Sequence, residues 1–187
     1  MKPFFFGLLA LCVLVFFNAS TSSGEIIMPG NSSDPVVLVG YSSEMEQEGI
    51  TCVKSQYLYR DTEWINRTLE YKYKMINHDT NVDQEEKTTI KFKVWKYCDV
   101  LEVGTKTWLV TRSGGNYTYQ VRYYDNTSLV LSNYIRNISV LEPCSLWVKI
   151  QYANNFTELA NETFHKLCRK PKFVGYDLRA CQDRYNG

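Results

Sequence analysis

The chain has 187 residues, of which 44% are hydrophobic, 14% aromatic and 22% charged. That mixture excludes a disordered chain, which would be poor in aromatics and high in net charge, and its length allows one domain or two small ones. Lys and Arg total 21 against 20 Asp and Glu, and a near-neutral chain without a basic block lacks the electrostatic footprint of a nucleic-acid binder.

Residues 1–24 read as a secretory signal. Met1-Lys2 supplies the charge, Phe4 to Phe17 an uncharged apolar run, and Ala19 to Gly24 the small polar residues, with cleavage expected between 19 and 25. The run is shorter than the ~20 residues a membrane span requires, and no second run of that kind follows, so a secreted, extracellular protein without a membrane span is expected. Its removal takes away one Lys and no acid, and leaves about 163 residues, enough for one core. Residues 25–35, rich in Ser, Gly, Asn and Pro, are expected to be loose, and residues 36–187 to form a single domain.

Glycosylation sequons after the leader fall at Asn31, Asn66, Asn116, Asn126, Asn137, Asn155 and Asn161. Cys12 leaves with the leader, and Cys52, Cys98, Cys144, Cys168 and Cys181 remain. Five cysteines in an oxidising compartment imply two bridges and one leftover thiol, or an intermolecular link, with the connectivity open.

In chain order, short apolar segments occur at 36–41 and 52–59. Alternation with period two follows, the mark of half-buried antiparallel strands. Leu69, Tyr71, Tyr73 and Met75 oppose Glu70, Lys72 and Lys74, and Ile90, Phe92 and Val94 oppose Lys91 and Lys93. Tyr117, Tyr119, Val121 and Tyr123 oppose Thr118, Gln120 and Arg122. Further segments lie at 108–111, 129–134, 138–141 and 146–151. Turn-forming clusters separate them at Asn77-His78-Asp79, Ser113-Gly114-Gly115-Asn116 and Asp125-Asn126, with Gly114-Gly115 suited to the positive φ of a hairpin. Eight or nine short strands at this spacing predict a mainly β barrel or sandwich. One helix is predicted near the end, where Phe156, Leu159, Ala160, Thr163, Phe164 and Leu167 recur at helical spacing. Asn155 is its expected cap, Glu158 the reciprocal partner and Pro171 its stop.

Catalytic groups are missing. His78 and His165 have no metal-ligand spacing, and neither a nucleophile elbow nor a phosphate-cradling loop occurs. No catalytic residue, metal or cofactor is expected, and the chain is read as a binder rather than an enzyme.

An eight-stranded barrel is wide enough inside for one small ligand. Its inward set here is dominated by tyrosine, with Tyr57, Tyr59, Tyr71, Tyr73, Tyr117, Tyr119 and Tyr123 sharing the parity of apolar neighbours. A buried tyrosine hydroxyl without a partner costs roughly 1–3 kcal/mol, so a ligand, a water or a wet strand end is needed. Glu86 shares parity with Ile90, Phe92 and Val94, and reads either as the partner of a ligand amine or as an acid in water at the mouth.

At this point the residues resemble a family. Thr51-Cys52-Val53 opens a strand, Met75 to Asn81 ends a hairpin, Glu86-Lys87 begins the next strand and Cys144-Ser145-Leu146-Trp147 begins a late one. A helix carrying Phe164 and Cys168 then precedes Cys181. In that order, from about Val36 to Cys181, they are similar to the tick salivary lipocalins of the histamine-binding-protein family. The resemblance implies an eight-stranded antiparallel lipocalin-type barrel with a C-terminal helix packed outside. It also implies Cys52 paired with Cys181, Cys144 paired with Cys168, and Cys98 as a free thiol. The family's N-terminal Asp/Asn-Ala/Cys-Trp-Lys signature is absent, and Ser145 and Ser139 stand where amine-binding members carry acids.

Two lost carboxylates weaken an amine pocket, since each charge-assisted pair is worth roughly 1.5–3 kcal/mol. The expectation is therefore a carrier that sequesters a small host-derived mediator, a lipid or a sterol, and so suppresses a host inflammatory or immune response. The expected contacts are Tyr57, Tyr71, Tyr73, Glu86, Ile90, Phe92, Val94, Tyr119, Val121, Tyr123 and Trp147. Two alternatives stand beside it: a biogenic amine, histamine or serotonin, held by Glu86 with Glu44 or Glu46 as a second acid, and a module that engages a host immune protein through its loops. Neither the ligand nor the choice between monomer and dimer follows from the residues.

Overall fold

The computed structural model describes residues 27–77, 80–95, 99–134 and 141–181. The expected leader lies outside them, as do His78, Asp79, Cys98, Asn137 and Ser139 among the residues singled out above, and most of the predicted 138–141 strand.

Among the described residues ten strands form one antiparallel sheet. They are β1 (Val36–Ser42), β2 (Thr51–Ser55), β3 (Tyr57–Asp61), β4 (Trp64–Asn77), β5 (Thr80–Trp95), β6 (Val100–Gly104), β7 (Thr118–Tyr124), β8 (Ser128–Asn133), β9 (Cys144–Lys149) and β10 (Pro171–Phe173). Eight are the staves of a barrel, in the order β1-β2-β4-β5-β6-β7-β8-β9, and β9 returns to β1 to close it. β3 hangs on β4, and β10 on β1, outside the ring. Closure removes the sheet edges that would otherwise invite foreign strands. Helix α1 (Thr107–Ser113) joins β6 to β7, and α2 (Glu158–Leu167) lies outside the barrel.

Two kinds of wall explain the two kinds of sequence pattern. On β4 and β5 the odd or even set facing out is charged, and the strands alternate over thirteen paired positions from Ile65↔Phe92 to Asn77↔Thr80. On β1, β8 and β9 apolar residues occur on both faces, because α2 covers the outside. Val37, Val39, Val130, Leu146 and Val148 pack outward against Phe164, which is fully buried. Strands covered on both sides read as continuous apolar runs rather than alternation. The second core fills part of the barrel itself, with Met28, Ile65, Phe92, Leu101, Val121, Leu129 and Leu131.

Several expectations are corrected by this arrangement. The 27–35 segment is not loose: Met28, Pro29 and Gly30 are buried, and a 3-10 turn over Pro29–Asn31 closes one end of the barrel. The 52–59 segment is two strands, with Gln56 between them donating its backbone N–H to Thr68 Oγ1. The 108–111 segment is the helix α1, since a short apolar run does not distinguish helix from strand by period. Only Leu109 of it is fully buried, while Trp108 is exposed. Gly114 has positive φ, 64°, but as the C-cap of α1 rather than in a hairpin. Thr157, not Asn155, caps α2, its side chain accepting from the Ala160 N–H. Pro171 lies beyond the helix end and opens β10.

Among the described residues two disulfides fasten the outside, Cys52–Cys181 and Cys144–Cys168. The second ties the start of β9 to the C-terminal end of α2.

Candidate functional site

The barrel holds a cavity of about 470 Å³, within the ~300–1,000 Å³ range of small-molecule sites. Its body is apolar, lined by Leu38, Leu69, Phe92, Leu101, Leu129 and Leu131 among others. Each sits at an inward position set by strand alternation.

The closed end is held by a buried guanidinium. Arg67, at an inward position of β4, is 2% exposed and spends all five of its N–H groups. Nε donates to Ser55 Oγ (3.1 Å), Nη1 to the carbonyls of Gly30 (3.1 Å) and Ser32 (2.6 Å), and Nη2 to those of Asp34 (2.8 Å) and Ser55 (2.9 Å). The guanidinium thus ties the 27–35 segment across the barrel end and has no donor left for a ligand. Desolvation lowers its pKa to about 10, with Asp34 acting in the opposite direction, so it stays protonated at neutral pH.

The mouth lies at the other end, between Tyr41, Glu44, Gln47 and Ile50 on one side and Leu109, Val110 and Asn116 on the other. Helix α1 roofs part of it. Gln47 reaches so close to Gly114 that a Cβ there would stand 3.2 Å from its Nε2. Glu44 is the acid that lines the cavity among the described residues, and it is already paired with Arg169 (3.1 Å) and Lys170 (3.8 Å). Tyr119 is partly buried, desolvation raises its pKa, and its hydroxyl accepts from the Asn116 backbone N–H at 2.8 Å. Among the described residues there is no cluster of three His, Cys, Asp or Glu that would hold a metal.

Of the eleven residues expected at the ligand, the structure brings five to the cavity wall: Tyr71, Ile90, Phe92, Tyr119 and Trp147. Tyr57, Val94 and Val121 lie in the apolar cluster inside the barrel without lining the cavity. Tyr73 stands beside Tyr71, ring centroids 6.2 Å apart, one step farther along the hairpin and off the wall. Glu86 pairs with Tyr71 across the strands but is likewise off the wall, part exposed, where the β4–β5 hairpin has outgrown the barrel. Tyr123 is turned outward by a register shift between Val121 and Tyr123. There its hydroxyl donates to Asp125 Oδ2 (2.7 Å), against the core under α2. Of the two further tyrosines sharing the inward parity, Tyr59 and Tyr117 are both exposed.

Sequence reasoning missed Leu101 and Val103, which alternate on a strand it did not place. It also missed Arg67, at the same parity as Leu69 and Tyr71, where a charged residue inside an apolar pattern was the available signal.

A closed eight-stranded up-and-down barrel with a plugged end, an open mouth and a C-terminal helix on its outer wall defines a lipocalin. The comparisons agree with that class and narrow it. No protein-family model matches the sequence. The chain is similar to Japanin of Rhipicephalus appendiculatus, 29% identical over 167 residues, covering 89% of this chain and 92% of that protein. It is also similar to Japanin-like-RS of Rhipicephalus sanguineus, 29% identical over 175 residues, covering 90% and 96%. The solved structure of Japanin bound to cholesterol superposes with a TM-score of 0.71 at 30% identity, covering 81% of this chain and 98% of that one. The chain belongs to the tick salivary lipocalins of which Japanin is a member.

Proposed function

We propose that this protein is a secreted carrier that takes a sterol, or a lipid of similar size and polarity, into its barrel and holds it without turnover. The observation that carries the reading is an apolar cavity of about 470 Å³ in a chain whose structural relative holds cholesterol. Burying ~300–400 Å² of ligand at ~25 cal/mol/Å² gives roughly 8–10 kcal/mol before the costs of binding. Sequestering a host mediator, and thereby damping a host immune response, is the role such a carrier would serve at a feeding site.

The amine reading has less support. A desolvated ammonium needs facing carboxylates. Glu86 lies off the cavity wall, Glu46 is paired with Lys172 at 2.6 Å, and Glu44 is paired with Arg169. Ser145, which the family resemblance marked as a replaced acid, lines the cavity and accepts from Trp147 Nε1 at 2.9 Å.

Native mass spectrometry of the protein secreted from eukaryotic cells tests the proposal. The expected result is a co-purifying neutral lipid, and cholesterol binding by the emptied protein. A protein that leaves the cell empty and binds histamine but not cholesterol overturns it. Glu86→Gln is expected to leave cholesterol binding unchanged.

A further inference from the structure

Among the sequon asparagines described by the structure, Asn116 is the one that lines the cavity. It is exposed, and it follows Gly114-Gly115 at the end of the helix that roofs the mouth. The others differ: Asn66 is buried at 8% exposure, and the exposed Asn126 and Asn155 are not on the cavity wall. Asn116 is also held in place twice. Its backbone N–H donates to Tyr119 Oη, and its side-chain Nδ2 donates to Asn133 Oδ1 at 2.6 Å.

We propose that Asn116 carries a glycan that stands across the mouth and slows the passage of ligand in both directions. The inference rests on the carrier reading for its biological meaning. In the modification, Nδ2 bonds to the anomeric carbon of a lipid-linked oligosaccharide, that carbon's bond to the pyrophosphate leaving group breaks, and one amide proton is released. The amide nitrogen starts with two hydrogens, so one remains for Asn133 after modification. The attached sugar therefore starts from a fixed side chain rather than a free one, at a mouth that Leu109 and Val110 of the roof also line. A bulky group at an entrance, without contact to the bound ligand, raises the barrier equally for entering and leaving. Both rates change while the dissociation constant does not.

Two variants at the neighbouring sequon position test this without touching the Asn116 side chain. Thr118→Ala deletes the sequon, and Thr118→Ser keeps it. Proteins secreted from eukaryotic cells are assayed by glycopeptide mass and by stopped-flow association and release of a fluorescent sterol. Anilinonaphthalene sulfonate serves as a second probe that reports any reachable apolar cavity. The expected result is an occupied Asn116 in wild type and Thr118→Ser, and on and off rates that rise several-fold together in Thr118→Ala with the dissociation constant unchanged. An unmodified Asn116, unchanged rates, or a change in one rate alone overturns the proposal. If the sterol fails to bind while the dye rates respond as expected, the carrier reading falls and the gate stands.

Discussion

Arg67 shows how a buried charge is tolerated when every donor finds an oxygen. Replacing it with Met leaves four backbone carbonyls at the barrel end without their donor. The expected loss is about 3 kcal/mol or more by urea denaturation, with release of the 27–35 segment. Gly30 sits so close to the cavity that a Cβ would stand 2.8 Å from Phe92 Cζ. Gly30→Ala is expected to destabilise by about 1–3 kcal/mol and to weaken sterol binding, because the Phe92 ring must shift toward the cavity it lines. On the outer wall Glu70 is 2% exposed, between Lys87 (2.9 Å), Lys54 (3.2 Å) and the Thr68 hydroxyl (2.7 Å). Burial pushes its pKa up, but the hydrogen bonds from Lys87, Thr68 and Lys54 outweigh it and hold the carboxyl below its ordinary 4.5. A carboxyl depressed in the folded state stabilises the protein above its unfolded pKa, and that contribution is lost as pH falls through the folded value. Denaturation measured against pH should therefore show stability draining away below about pH 4.5. Glu70→Gln should lower stability at neutral pH and flatten that acid limb.

At the scale of elements, α2 is joined to the barrel by more than its apolar face. Asp125, in the turn between β7 and β8, accepts from Tyr123, Thr127 and Ser128, and also from Thr157 Oγ1 at 3.0 Å. Thr157 thus caps the helix and ties it to the turn. Thr157→Ala is expected to cost about 1 kcal/mol, read as a shift of the urea midpoint at constant slope. The same region marks where the chain's pattern was readable and where it was not. The β4–β5 pair was legible because one face is mostly polar and charged while the other is mostly apolar, and α2 because Ala160, Thr163, Phe164 and Leu167 recur along one face. Tyr123 was misplaced because a one-residue bulge reverses every side chain after it, and nothing in Val121-Arg122-Tyr123 announces the extra residue. The cavity-facing leucines of β8 were hidden for a different reason. Val130 between Leu129 and Leu131 is as buried as they are, so parity carries no contrast.

At the scale of the molecule, the barrel has an end that is filled and an end that is open, and binding is expected to stabilise the whole. A ligand present at 100 times its dissociation constant should add about 2.7 kcal/mol, seen as a rise in melting temperature with cholesterol and none with histamine. The outer shape follows from where α2 lies: the wall of β1, β8 and β9 is insulated from solvent, whereas the β4–β5 hairpin stands free beyond the barrel, with Met75 and Val82 exposed.

The bridge between Cys52 and Cys181 spans 129 positions of sequence. Any single protease cut between them yields two fragments that stay covalently joined. A nicked molecule should run as two bands on a reducing gel and as one on a non-reducing gel, and should keep its cargo when the nick falls in the protruding hairpin. A first cut in that hairpin would thus leave the two halves of the barrel covalently joined.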